Sequence, residues 1–259
     1  MKKIFLLLSV SLFLVSCLGK DEYIISGTAK GIENGKTIIL ETQDPTGMGL
    51  KSIDTVKVEN GKFEIKGKVT EPSFHMLQVE SINGKIPFIL ENGKITIEIN
   101  KDSLNKSKIS GTYNNDEFVK FNEELIQIQK SLIDFQKKNT PMMNEAQQKV
   151  PKDTVVINKL MQEFSKIQQN VTEVSKKKYL SYSETHPKSY ITVLIIQGMM
   201  NDPSVDLKKV EKLFAGLDES LKTTVPGKTI KTKLDQAKMS SVNATPPVDA
   251  THPTAGDAK

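Results

Sequence analysis

From Tyr23 to Thr112 apolar and polar residues alternate, and from Phe118 onward apolar residues recur at intervals of three and four. The first period belongs to strands with one wet face, the second to helices. Val56 and Val58 precede Asn60-Gly61 while Phe63 and Ile65 follow it, and after Asn92-Gly93 the residues Ile95, Ile97 and Ile99 alternate in the same way. Eight short strands are expected, near 23–28, 36–42, 53–59, 62–68, 73–81, 85–90, 94–99 and 107–112. Asn-Gly-Lys occurs at 34–36, 60–62, 83–85 and 92–94. Asn and Gly accept the positive φ of a type I′ turn, so each site is read as a tight hairpin. Their uneven spacing is that of turns and not of a ligand motif. Ser26-Gly27-Thr28 and Ser110-Gly111-Thr112 open and close the region, an echo read as placing the first and last strands side by side.

Asn114-Asn115 reads as an N-cap pair, followed by the stripe Phe118, Phe121, Leu125, Ile128, Leu132 and Phe135. Thr140-Pro141 is expected to break this helix, and after Pro151 a second stripe follows as Ile157, Leu160, Phe164, Ile167, Val171 and Val174. Two long helices joined by a polar loop form an antiparallel αα-hairpin. A third helix follows Pro187 through Tyr190 to Met200, ended by Asp202-Pro203, and a fourth spans about 206–223, stopped by Pro226-Gly227. A weak segment reaches Met239. Residues 240–259 lack an apolar stripe and are expected to be disordered. The fold class is therefore α+β: an N-terminal antiparallel β-sandwich or barrel-like sheet, then a helical region with a long αα-hairpin.

The first 17 residues have another logic. Met-Lys-Lys precedes an apolar run from Ile4 to Val15 and then Ser16-Cys17, which is a secretory signal too short to span a bilayer as a helix. Leu14-Val15-Ser16-Cys17 resembles a bacterial lipobox, cut between Ser16 and Cys17 and acylated on Cys17. An ordinary signal with an incidental Cys17 is the other reading. Lys20-Asp21-Glu22 resembles the signal that exports some lipoproteins to the outer face of the outer membrane; otherwise it is a charged tether. The expected division is a signal peptide at 1–16, a lipidated tether at 17–22, a β domain at 23–112, a helical domain at 113–239 and a tail at 240–259.

Composition narrows the chemistry. All 36 basic residues are Lys and none is Arg, so the planar fork that grips phosphate is missing and a nucleic-acid partner is not expected. Loss of 16 of the 259 residues takes Lys2 and Lys3 away, leaving 34 lysines against 31 acids, a weak basic balance. The single Cys excludes a disulfide framework and a two-cysteine redox motif. His75, His186 and His252 do not sit at ligand spacing, and no metal site or cofactor is expected. Asp116-Glu117 fits a helix first turn, Glu123-Glu124 is a second acidic pair, and Lys176-Lys177-Lys178 is a solvated face or a contact with anionic lipid. No nucleophile elbow, phosphate-cradling loop or His-Glu-x-x-His helix is present, so no enzyme is expected. A site in which His75 or His186 met a carboxylate would revive that reading.

Several of these pieces together resemble a known family: the lipobox ending at Cys17, the hairpin Asp54 to Val69 around Asn60-Gly61-Lys62-Phe63, the run Phe88 to Ile95, and Ser110-Gly111-Thr112 before the helices. Thr185-His186-Pro187-Lys188-Ser189-Tyr190 and Val225-Pro226-Gly227-Lys228 continue the likeness. The family is the domain of unknown function 4369, usually the N-terminal half of thioredoxin-like lipoproteins. The resemblance implies a following Cys-x-x-Cys domain, but the low-complexity tail begins where that domain would start. Thiol exchange needs a thiolate, which an acylated Cys17 does not supply. The expectation is a lipid-anchored outer-membrane protein, facing the periplasm or the cell surface, that binds an envelope protein or surface ligand. The alternative is a thiol-free accessory to a separate thioredoxin-like enzyme.

Overall fold

The computed structural model describes residues 19, 21–44 and 49–242. Two compact units divide the chain, one through Asp116 and one from Glu117.

The first unit holds the expected eight strands: β1 (Glu22–Thr28), β2 (Thr37–Gln43), β3 (Leu50–Lys57), β4 (Lys62–Lys68), β5 (Ser73–Val79), β6 (Ile86–Leu90), β7 (Gly93–Glu98) and β8 (Lys108–Ser110). They form two four-stranded sheets, ordered β4-β1-β7-β8 and β3-β2-β5-β6. Alternation buries one face of each, and Ile25, Ile65, Ile95 and Ile97 of the first sheet share a core with Ile38, Leu40, Leu77 and Phe88 of the second. Every pairing is antiparallel except β1 with β7, which is parallel from Tyr23↔Gly93 to Thr28↔Glu98.

Two expectations about pairing are corrected. The first and last strands are not neighbours, because β7 lies between β1 and β8. Of the four Asn-Gly sites only Asn83-Gly84 joins two paired strands, β5 and β6. Asn34-Gly35, Asn60-Gly61 and Asn92-Gly93 carry the chain from one sheet to the other. At Asn60-Gly61 both residues have positive φ, 51° and 68°, and one rung closes between Glu59 and Lys62 before β3 and β4 separate. Turn chemistry specifies a local reversal of the chain. Which strand pairs with which is decided by burial of the two facing sides of the sheets in one core.

The second unit begins within α1 (Tyr113–Gln148), which runs through Pro141 instead of ending there. Proline removes one hydrogen bond. The turn before it is held by side chains: Thr140 Oγ1 donates to the Gln136 carbonyl at 2.6 Å and Asn139 Nδ2 to the Phe135 carbonyl at 2.9 Å. Past the proline, Ala146 is buried and its carbonyl accepts from the Asp153 N–H at 3.0 Å. The connecting loop is thus only 149–153, and Asp153 caps α2 (Thr154–Thr185) by accepting from the Val156 N–H. Phe135 meets Phe164, and Phe121 meets Tyr179 and Tyr182, across an antiparallel pair of helices about 54 and 48 Å long at 1.5 Å per residue.

After α3 (Tyr190–Met199), the expected fourth helix is split into α4 (Leu207–Gly216) and α5 (Glu219–Lys222). Between them the Asp218 N–H bonds the Pro187 carbonyl at 3.0 Å and its carboxylate caps Ser220. Pro226 stands in the first turn of α6 (Val225–Val242), so Pro226-Gly227 starts a helix where a stop was expected. α3 packs on α2, α4 and α6, with Val193, Ile196, Val210, Leu213, Ile230 and Leu234 buried in this unit.

Candidate functional site

Ser16, Cys17, Lys20 and His252 lie outside the described residues. Of the expected export signal, the Asp21 carbonyl accepts from the Val69 N–H at 2.8 Å, and Glu22 opens β1 with its carboxylate bound to the Gly19 N–H at 2.9 Å.

His75 stands buried in β5. Its Nδ1 lies 3.2 Å from the Ser73 carbonyl, and its ring is 6.2 Å from that of Phe88. Burial holds its pKa below the usual imidazole value, against the opposing pull of the Ser73 carbonyl. It borders a cleft of about 300 Å³ with Thr42, Gln43, Leu50, Phe74 and Met76. Among the described residues no carboxylate pairs with His75 to orient it for base chemistry.

His186 does meet a carboxylate. It ends α2, and its Nε2 lies 3.5 Å from Glu117 Oε2, in the first turns of α1. Tyr182, one turn earlier, stacks flat on the imidazole with ring centres 4.1 Å apart. The Tyr182 hydroxyl donates to Glu117 Oε2 at 3.0 Å and shares a second hydrogen bond of 3.0 Å with Ser189 Oγ. Ser189 caps α3, accepting from the Ile191 N–H at 3.2 Å. A Ser, a His and an acid are therefore together, but in the wrong order for nucleophilic catalysis. Imidazole Nδ1 faces Thr185 Oγ1 at 2.8 Å and the Tyr182 carbonyl at 3.2 Å, Nε2 faces Glu117, and Ser189 Oγ touches neither nitrogen while lying fully buried. In a working triad the base bonds the nucleophile. Here the cluster ties the start of α1 to the α2–α3 junction. Glu117, Tyr182 and Ser189 were not singled out by sequence pattern; the spacing of Tyr182 and His186 by one helical turn and the Ser before Tyr190 are the signals that point to them.

The other acidic and basic motifs also find partners. Asn114 and Asn115 lie in the first turn of α1 and not before it, and both bind β6 or its end. Glu91 accepts from the Asn114 N–H at 3.0 Å and from its Nδ2 at 2.6 Å, while Asn115 binds Ile89. Lys178 pairs with Glu124, and Lys176 lies 3.7 Å from Asp202. An open cleft of about 800 Å³ between the end of α2 and α4 is lined by Lys208, Lys209 and Lys212 with Asp206 and Glu184. On the α1–α2 hairpin a smaller groove of about 230 Å³ has a floor of Phe135, Met143, Leu160, Met161 and Phe164 and an edge of Asn139, Thr140 and Asn144. Among the described residues no group of three or more His, Cys, Asp and Glu side chains is placed to hold a metal ion. No described helix is long and apolar enough to cross a membrane.

The first unit is thus a two-sheet β domain of mixed strand order, whose last strand leads directly into a long helix. Residues 23–118 match the family model described as Domain of unknown function (DUF4369). No curated protein matches the chain.

Proposed function

We propose that the protein is a lipid-anchored component of the outer membrane, acylated on Cys17, that works as a non-catalytic binding module for another envelope protein. The anchor rests on Lys2-Lys3, the apolar run and Leu14-Val15-Ser16-Cys17. Display on the outer face rests on Lys20-Asp21-Glu22, and a periplasmic orientation is its alternative. The binding role is carried by one observation, the apolar groove of the hairpin that opens to solvent at Met161. Its floor is aromatic and methionine-rich, its edge is amide and hydroxyl, and Ile126 and Ile133 stand exposed seven residues apart further along α1. Such a surface suits the apolar face of an amphipathic partner helix, and methionine adapts to irregular contacts. The His186 cluster supports the non-catalytic half of the reading, since its hydroxyl and both ring nitrogens are already engaged.

A photo-crosslinking residue at position 161, activated in intact cells, tests the binding role against the same residue at the exposed Lys66 on β4. One dominant envelope-protein adduct from 161 and none from 66 is expected, and no adduct, or equal adducts, overturns the reading. Metabolic labelling with palmitate tests the anchor separately: label that persists in Cys17→Ala removes it.

A further inference from the structure

We propose that the tip of the α1–α2 hairpin docks on an anionic lipid surface. The inference does not depend on acylation of Cys17. Three apolar side chains stand out at this end: Val150 is 97% exposed, Val155 78% and Met142 51%. Met142 and Val155 lie within about 10 Å of the helix ends at 1.5 Å per residue. That matches the depth of about 5–10 Å to which interfacial helices bury their apolar residues.

The charges around them select the occupant. Glu145 and Asp153 are already answered by Lys149, at 3.8 and 3.3 Å. Among the described residues, no carboxylate lies within ion-pair distance of Lys137, Lys138, Lys152 or Lys159. Lys152 and Lys159 ring the apolar tip. Lys137 and Lys138 sit about 15 Å back from the end of α1, so a tip inserted to that depth brings them within a Debye length of about 8 Å from the surface. Long lysine stems can cover apolar surface while their ammonium groups reach phosphate. Apolar residues on a convex end with unpaired lysines behind them fit a bilayer of net negative charge, whereas a protein partner is better served by the groove further along the hairpin.

The chain from residue 18 onward contains every described residue and carries neither the apolar leader nor an acyl group. It is mixed with vesicles of phosphatidylcholine alone or with added phosphatidylglycerol and sedimented. Binding about 10-fold tighter to the anionic vesicles is expected. It should fall about 10-fold in Val150→Asp/Val155→Asp and in Lys137→Glu/Lys138→Glu/Lys152→Glu. The milder Val150→Ser/Val155→Ser pair, with helix content checked by circular dichroism, separates lost binding from lost folding. The sequence contains no Trp, so Val150→Trp provides a single reporter whose emission should shift to the blue on anionic vesicles. Equal binding to both vesicles, parent-like binding by folded variants of either kind, or an unshifted emission overturns the proposal. A shift caused only by lipid-free envelope extract overturns it in favour of a protein partner.

Discussion

Asn115 holds both backbone groups of Ile89: its Oδ1 accepts from the Ile89 N–H at 2.9 Å and its Nδ2 donates to the Ile89 carbonyl at 2.7 Å. A carboxamide presents the same donor and acceptor as a peptide unit, so this side chain extends the sheet by one residue beyond its edge strand β6. Asn115→Ala leaves two buried backbone groups unpaired and should destabilise the first unit by about 2–4 kcal/mol. Asn115→Asp keeps the acceptor but sets a carboxylate against a carbonyl, and should be at least as damaging. Urea unfolding followed by circular dichroism measures both.

Gly27 lies opposite Phe63, and Gly67 opposite Tyr23, across the β1–β4 pair. Each aromatic ring lies over the glycine facing it. A Cβ on Gly27 would come within 1.9 Å of Phe63 Cε1. Gly27→Ala must therefore push a buried ring out of place, and a loss of about 1–3 kcal/mol is expected. Gly27 is not at positive φ, so its loss reports ring displacement, whereas Gly35→Ala, at φ 86° with nothing within 4 Å of the added Cβ, reports the strain of positive φ alone.

Burial makes protonation of His75 unfavourable in the native state. Its native pKa is lowered, so below the ordinary value of 6.5 the unfolded chain binds the proton more readily and stability falls with pH toward the native pKa. Above 6.5 the residue contributes no slope. The midpoint of urea unfolding should decrease between about pH 7 and pH 5, and His75→Gln should flatten that decrease without removing the part due to carboxylates.

Tyr182→Phe tests whether the His186 cluster is a fastening. The substitution deletes the hydroxyl that bridges Glu117 and Ser189, and a loss of about 1–3 kcal/mol in the second unit is expected. Thermal unfolding at helix wavelengths is the measurement. A variant as stable as the parent would mean that the hydroxyl is held for some purpose other than stability.

Pro141→Ala restores an N–H inside α1 and removes the clash of the ring with the preceding turn. Hairpin stability should rise by about 1–3 kcal/mol, reported by a higher unfolding midpoint with unchanged helix content. An unchanged or lower midpoint would show that the turn has adapted to the ring.

Strand positions were legible from residue pattern because alternation is a local property, and all eight strands lie close to their expected places. Pairing was not. The signal at Asn60-Gly61 correctly marks positive φ, yet Val56 and Val58 before it and Phe63 and Ile65 after it can be buried equally well by one sheet or by two facing sheets. Pro141 misled because propensity counts the lost backbone bond and omits what Ala146 gains by packing further along. The cluster of Glu117, Tyr182, His186 and Ser189 brings together residues up to 72 positions apart, and no short motif records such an assembly. The groove was partly visible as the stripe Phe135, Leu160 and Phe164, but its opening depends on Met143 and Met161, which read as ordinary helix residues.

The place of β1 governs when the first domain can exist. Synthesised first among the strands, it sits inside its sheet, between β4 and a parallel β7 that reaches to Glu98. Nearly the whole domain must be available before its N-terminal strand has both neighbours, which gives the fold a high contact order and slow closure. A chain threaded through a secretion channel with its N-terminus leading would arrive on the far side with this sheet still open. The domain therefore closes only once β7 is present to take its place beside β1.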